Sequence, residues 1–190
     1  MFRVRGGDVS AWKELMVSQA KGEKLVFSQK TGSQIWQNLS GVKQFLKKEP
    51  LANNSFPQEL FIGSEPYGSC RWHPPSLWLG IGCERNTSLS LINRALKDIF
   101  SSADLVLEAV AGLATIDIKS DEQAFLSLSK ERSWPIRLYS AQALSQVKVP
   151  NPSSIVEAEV GTQSVAEAAA LLAAQNPDKL RQEKRVYLSK

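Results

Sequence analysis

The sequence predicts an α/β fold: a three-layer sandwich around a mixed, largely parallel sheet, preceded by a smaller α/β segment. Three observations carry this. From Leu77 onward, short apolar runs alternate with stretches whose apolar residues recur at helical spacing. The helical stretches open on hydroxyl or acidic residues, at Thr87 and Ser88, at Asp121 and Glu122, and at Ser164, as helix starts do. With 190 residues, 43% hydrophobic and 22% charged, the chain is long and apolar enough to bury a core.

The elements follow in order. After a Gly-Gly-Asp opening, Trp12, Leu15 and Met16 are spaced for a helix, and Lys24 to Ser28 reads as a short strand. Ile35, Leu39, Val42 and Leu46 share one face of a helix expected from about Ser33 to Leu46. Glu49 to Pro75, with prolines at 50, 57, 66, 74 and 75, is expected to be an extended connection, irregular apart from a short apolar patch at Leu60 to Ile62. The domain boundary therefore falls between residues 1–76 and 77–190.

In the second part, Leu77 to Gly82 is a buried-strand run ending in glycines, and Thr87 to Phe100 is a helix with Leu89, Ile92, Leu96 and Ile99 inward. A short apolar segment at Leu105 to Ala109 precedes a second strand, Gly112 to Ile118. A helix over Asp121 to Arg132 and a third strand, Ile136 to Tyr139, follow. Ala141 to Val147 is a short helix and Val149 to Ser153 a rigid turn. Ser164 to Ala174 is an Ala-rich helix, and Glu183 to Leu188 resembles one more strand.

Composition narrows the function. With 23 Lys and Arg against 19 Asp and Glu, the net charge of +4 is mildly basic, and the scattered basic residues form no stripe interleaved with aromatics, so no nucleic-acid partner is expected. No apolar run is long enough to span a bilayer, and no apolar segment of secretory type follows the N-terminal charges; no membrane partner is expected. Cys70 and Cys83 make no disulfide framework, and neither stands with His73 at metal-ligand spacing. A reducing, cytoplasmic location and no protein-bound metal or cofactor are expected. With one histidine, in the proline-rich stretch, a Ser-His-Asp triad has no base in the second part.

Three segments can carry chemistry. Gly80 to Ser88, GIGCERNTS, lies between a strand and a helix, where free N–H groups favour an anion. Arg85 occupies the place where the dinucleotide fingerprint needs glycine, so the segment is either an anion seat or a tight turn capped by Thr87 or Ser88. Asp117 to Glu122, DIKSDE, mirrors it at the end of the next strand, so Arg85 and Lys119 can converge on one crevice; the alternative is a solvated helix start. Gly161 to Glu167, GTQSVAE, contains the capping box Ser164 and Glu167, and its helix start also suits a carboxylate.

Taken together, Trp72 to Ser88 (WHPPSLWLGIGCERNTS), Leu113 to Glu122 (LATIDIKSDE), Val149 to Ser153 (VPNPS) and Glu159 to Leu171 (EVGTQSVAEAAAL) resemble, in the same order, the C-terminal domain of the cobalamin-biosynthesis CbiG family and its stand-alone CobE relatives. The family pattern has Gly where Asn86 stands and Arg where Pro75 stands.

The resemblance implies a role in building the corrin ring. CbiG-type enzymes are cobalt-precorrin-5A hydrolases that open the ring-A acetate δ-lactone and release acetaldehyde. CobE-type proteins imply the alternative, a non-catalytic tetrapyrrole-binding or carrier module. The implied partner is a cobalt-precorrin tetrapyrrole, with the cobalt carried by the substrate, and further partners are other cobalamin-pathway enzymes or a CbiG N-terminal domain, which is not recognisable here. Residues 24 to 76 resemble part of the CbiG middle region, and the family's last strand after Tyr187 is cut short. Without the domain that normally accompanies this one, the chain alone is expected to hydrolyse the lactone poorly or not at all. The candidate substrate-binding residues are Gly82, Glu84, Arg85, Thr87, Lys119, Glu122, Thr162 and Ser164; no catalytic residue is assigned.

Overall fold

A computed structural model describes residues 5–42, 46–48, 59–175 and 180–188. The chain divides into two compact units, residues 1–76 with 104–109, and residues 77–103 with 110–190. Both are α/β.

The first unit is built on a five-stranded sheet in the order β1-β5-β4-β2-β3. Its strands are β1 (Arg5–Gly7), β2 (Leu25–Gln29), β3 (Leu46–Lys48), β4 (Glu59–Ile62) and β5 (Cys70–Trp72). All neighbours run parallel except β1, which is antiparallel to β5. Helix α1 (Val9–Ala20) starts on Asp8, whose carboxylate accepts the N–H groups of Ser10 and Ala11, a cap of about 1 kcal/mol. The helix buries Ala11 and Leu15 in a cluster with Phe27, Leu60, Ile62 and Cys70, while Met16 is exposed.

Two expectations fail here. Of the helix expected over Ser33 to Leu46, residues 43–45 lie outside the described ones, and the described part forms a 3₁₀ turn, Ile35–Asn38, with β3 starting at Leu46. Ile35 and Leu39, which that helix would have placed inward, are exposed, and Gly41 turns the chain with φ +83°. The second failure is the extended connection from Glu49 to Pro75. Residues 49–58 lie outside the described ones, but β4 and β5 within this stretch are interior strands of the sheet, and buried Phe61 and Ile62 show why. Pro66 sits between these strands and Pro74 and Pro75 beyond them, where no ladder bond is lost.

The second unit carries the parallel sheet β6-β7-β8: β6 (Leu77–Gly80), β7 (Val110–Ile116) and β8 (Ile136–Tyr139). Helices α2 (Leu89–Ser102) and α3 (Gln123–Arg132) connect them in turn; successive right-handed crossovers in one direction put both on one face, where they touch. On the other face α6 (Val165–Ala174) crosses all three strands. There Ala114 and Ile116 of β7 join Val165, Ala168, Ala169 and Ala173 of α6 and Leu144 of α4 (Ala141–Ser145) in one buried cluster. Small residues let the helix approach: a Cβ on Gly80 would lie 1.7 Å from the Ala166 carbonyl oxygen. Trp78 packs against this cluster with the Arg137 guanidinium 3.9 Å over its ring, and Arg137 also donates to Ala173 O at 2.7 Å.

Helix α5 (Ser154–Val160) is an element the sequence reading did not anticipate, capped by Ser153 and ended by Gly161 at φ +72°. The expected strand over Glu183 to Leu188 is not one. This segment pairs with no strand and is held by side chains on α2: Arg185 Nη1 donates to Ser102 Oγ at 2.7 Å, Tyr187 to Asp98, and Arg94 to Leu188 O at 3.0 Å. Among the described residues, no helix is long and apolar enough to cross a membrane.

Candidate functional site

Parallel strands direct their carboxyl ends to one edge, and in the second unit that edge gathers two loops and the start of α6. The ladder between β6 and β7 runs on past Gly80, since Ile81 N donates to Ala114 O at 2.9 Å and Thr115 Oγ1 to Ile81 O at 2.7 Å. The loop that leaves it, Gly82 to Ser88, starts against α6: a Cβ on Gly82 would lie 3.4 Å from Val165 Cβ and 3.8 Å from Ala166 N.

Two contacts then join this loop to the one after β7. Arg85 forms an ion pair with Asp121 and donates from Nη2 to Ile118 O at 2.6 Å. Asn86 N–H points at the carboxylate of Glu122, at 3.4 Å from Oε2. Asn86 has φ +62°, the left-handed region that glycine occupies without strain and asparagine tolerates better than most residues, so the departure from the family's glycine leaves the turn intact. Thr87 Oγ1 donates to Glu84 O at 2.8 Å, and Ser88 Oγ caps α2 by accepting Leu91 N at 3.2 Å. Of the two hydroxyls considered for the cap, Ser88 provides it.

The electrostatics follow from these contacts. The Asp121 hydrogen bond raises the Arg85 pKa further above its ordinary value, and the same bond lowers that of Asp121. Burial pushes the Cys83 thiol up, opposed by a hydrogen bond with Thr87 and by the positive charges of Lys119 and Arg85. The Glu122 carboxylate acts in the same direction as burial, so charges of both signs surround the thiol. Lys119 has no ion-pair or hydrogen-bond partner for its ammonium among the described residues, whereas the Arg85 charge is matched within the fold.

Thr162 and Ser164 sit at the start of α6, 1% and 2% exposed. Ser164 Oγ caps the helix by accepting Glu167 N at 3.4 Å. The expected capping box is only half formed. The buried Glu167 carboxylate accepts Asn151 N at 3.1 Å, Asn151 Nδ2 at 2.8 Å and Lys184 N at 3.1 Å, so it serves the Val149 to Ser153 turn and the C-terminal segment. The Thr162 hydroxyl is buried without a hydrogen-bond partner. It is one lining residue of a hollow of about 290 Å³ that also includes Lys148, Glu157 and Gln163.

The structure thus brings Gly82, Glu84, Arg85, Thr87, Lys119 and Glu122 together in two clasped loops. Ser164 caps the helix whose next two residues touch Gly82, and Thr162 faces the hollow beside it. Reading the sequence missed Asp121 as the Arg85 partner and Cys83 as a thiol set among the charges of both loops. Both contacts depend on which strand ends are neighbours, and a separation of 36 residues leaves no local pattern for the ion pair.

Comparison with known proteins agrees with this architecture. The family described as Cobalamin synthesis G C-terminus matches residues 77–190. The cobalt-precorrin-5A hydrolase of Priestia megaterium is 31% identical over 101 residues, 53% of this chain and 27% of that protein. Protein CobE of a Sinorhizobium species is 37% identical over 105 residues, 52% of this chain and 65% of that protein. The crystal structure of CobE, described as a protein from the cobalamin (vitamin B12) biosynthetic pathway, superposes with a TM-score of 0.50 at 32% identity, covering 52% of this chain and 71% of that chain. The chain spans about a quarter of the hydrolase and just under two-thirds of the Sinorhizobium CobE. The family match begins with β6 and takes in the sheet, the clasped loops and α6; the chain belongs to the Cobalamin synthesis G C-terminus family, which places it in cobalamin biosynthesis.

Proposed function

We propose that the second unit binds a cobalt-precorrin tetrapyrrole by its peripheral carboxylates, and that the chain serves the opening of the ring-A δ-lactone of cobalt-precorrin-5A with release of acetaldehyde. The observation that carries this reading is the strand-end edge itself, where Lys119 has no partner among the described residues, Arg85 lies on the neighbouring loop, and α2 and α6 begin. A macrocycle ringed with carboxylates needs several separated cationic or N–H donor points, and this edge has them. Lactone opening places negative charge on the former carbonyl oxygen as water adds, and fixed N–H donors in such an edge are the groups that lower that barrier. The cobalt travels with the substrate.

The second reading is a CobE-like carrier that holds the tetrapyrrole without reacting. It is favoured by the larger share of CobE than of the hydrolase that this chain matches. Incubating the purified chain with cobalt-precorrin-5A under anaerobic conditions, and measuring bound tetrapyrrole and acetaldehyde at the end point, tests both. Acetaldehyde above the protein-free control supports the hydrolase, and saturable binding without it supports the carrier. The absence of both binding and release would overturn the proposal.

A further inference from the structure

The first unit, outside the region that the family match covers, has a strand order of a kind that places ligands at strand ends. From β2 the chain moves sideways to β3, on one side; from β3 it crosses back to β4, on the other side of β2, and goes on to β5. The connections after β2 and β4 therefore part in opposite directions, and such a switch point is where open α/β sheets take ligands. Lys30 to Ser33 follow β2 there and Gly63 to Glu65 follow β4.

The loop after β2 is built around one side chain. Gln29 Nε2 lies 2.9, 3.2 and 3.1 Å from the carbonyl oxygens of Thr31, Gly32 and Ser33. Its Oε1 accepts Trp36 Nε1 at 3.0 Å and Gln37 Nε2 at 2.7 Å. The indole N–H can only donate, which fixes the orientation of the amide. In a trans peptide the N–H points opposite to the C=O. With three successive carbonyls drawn onto Gln29, the N–H groups of Gly32, Ser33 and Gln34 turn the other way, and none donates to a described residue. Gly32 holds φ +82°, and a Cβ there would lie 2.7 Å from Pro74 Cγ, so only glycine permits this path.

Three further groups point to a ligand. Lys30 stands at the rim with its ammonium 4.8 Å from the Tyr67 ring centroid and 3.6 Å from the carboxylate of Glu65, which Ser64 N–H also holds at 3.0 Å. Ser28 lies two residues before Lys30 on the same face of β2, opposite to the face that Phe27 packs against α1. Ser28 is 5% exposed, and its hydroxyl has no hydrogen-bond partner; the Thr31 hydroxyl is likewise buried and unpartnered. Outward N–H groups, a lysine shared with Glu65, and two buried hydroxyls without a partner among the described residues stand at the carboxyl ends of neighbouring strands, a set complementary to a group with several anionic oxygens.

We propose that these strand ends bind an oxyanion, the phosphate or carboxylate of a ligand, through the N–H groups of Gly32, Ser33 and Gln34 and the Lys30 ammonium that Glu65 also holds, with Thr31 as a hydroxyl donor. The full 190-residue chain, labelled with ¹⁵N, tests it by titration with inorganic phosphate and separately with acetate at constant ionic strength. Saturable shifts of the Gly32, Ser33 and Gln34 amides are expected with at least one anion; the tighter of the two tells a phosphoryl from a carboxylate ligand. Lys30→Gln is expected to weaken that binding roughly tenfold. Gln29→Leu, which releases the loop carbonyls, is expected to abolish it, and Thr31→Val to weaken it in a background that keeps the loop. Lys119→Ala, in the other unit, is expected to leave it unchanged, which separates this site from the tetrapyrrole edge. Linear drift no larger than chloride produces would overturn the proposal, as would undiminished binding in folded Lys30→Gln and Thr31→Val.

Discussion

Arg85 and Asp121, 36 residues apart, form an ion pair that clasps the loop after β6 to the loop after β7. Because Asp121 already neutralises this guanidinium, the two partners differ in their expected effect on an anionic ligand. Arg85→Ala frees a carboxylate beside the edge and is expected to weaken binding of a corrinoid acid roughly tenfold. Asp121→Asn frees the guanidinium and is expected to leave binding equal or tighter. Calorimetric titration of both variants checks this; equal weakening in the two would mean that the pair acts only by holding the loops.

The pair also has a pH signature. Its carboxylate is depressed by the Arg85 hydrogen bond below the ordinary 3.8, so what it contributes is fully present above that value and is lost as pH falls through the lower folded value. The Asp121 carboxyl resonance followed by NMR is expected to titrate below 3.8 in wild type, and to move up in Arg85→Ala.

Cys83 is expected to be a slow thiol. Burial raises its pKa above 9.0, so the thiolate is scarce at neutral pH, and alkylation by iodoacetamide is expected to rise only in the alkaline range. Lys119→Ala removes a charge that favours the thiolate and is expected to slow the reaction further. Cys70, 1% exposed, is expected to react only on unfolding.

Glu167 is a structural carboxylate with three N–H partners, 2% exposed. Glu167→Ala leaves the Asn151 and Lys184 donors unanswered and is expected to cost about 3 kcal/mol in urea unfolding. Hydrogen exchange at Lys184 is expected to accelerate with it.

Gly80 makes the approach of α6 possible. Gly80→Ala is expected to cost about 2 to 3 kcal/mol, because its Cβ meets a backbone carbonyl that cannot turn aside. Gly161→Ala has open space and is expected to cost about 1 kcal/mol for its left-handed φ alone. Thermal melts of both variants compare the two costs.

How much of this was legible in the sequence depends on whether the signal was local. Helices α2, α3, α4 and α6 of the second unit were, as where Ile92 and Leu96 bury at helical spacing behind a Ser88 cap, whereas α5 was not. The strand Ile136–Tyr139 was equally plain. The segment Ile35 to Leu46 had the same periodicity, but its described residues form only a 3₁₀ turn: the Gln29 side chain holds the preceding loop, and Ile35 and Leu39 are exposed. Prolines concealed β4 and β5, since residues that exclude a ladder bond locally mark only the ends of strands that pair with distant neighbours. At the candidate site, Arg85 and Lys119 could be placed near one another from the alternation of strand and helix. The Asp121 partner, the position of Cys83 and the second role of Glu167 required the tertiary arrangement.

The central claim is that the carboxyl-end edge of the β6-β7-β8 sheet binds a carboxylate-bearing corrin ring through its cations. Calorimetric titration with cobyrinic acid, comparing wild type with folded Lys119→Ala, tests it most directly, since Lys119 is the edge cation without an internal partner. The account predicts saturable binding to wild type and an affinity roughly tenfold lower in the variant. Identical affinity in the two, or no binding to either, would contradict it.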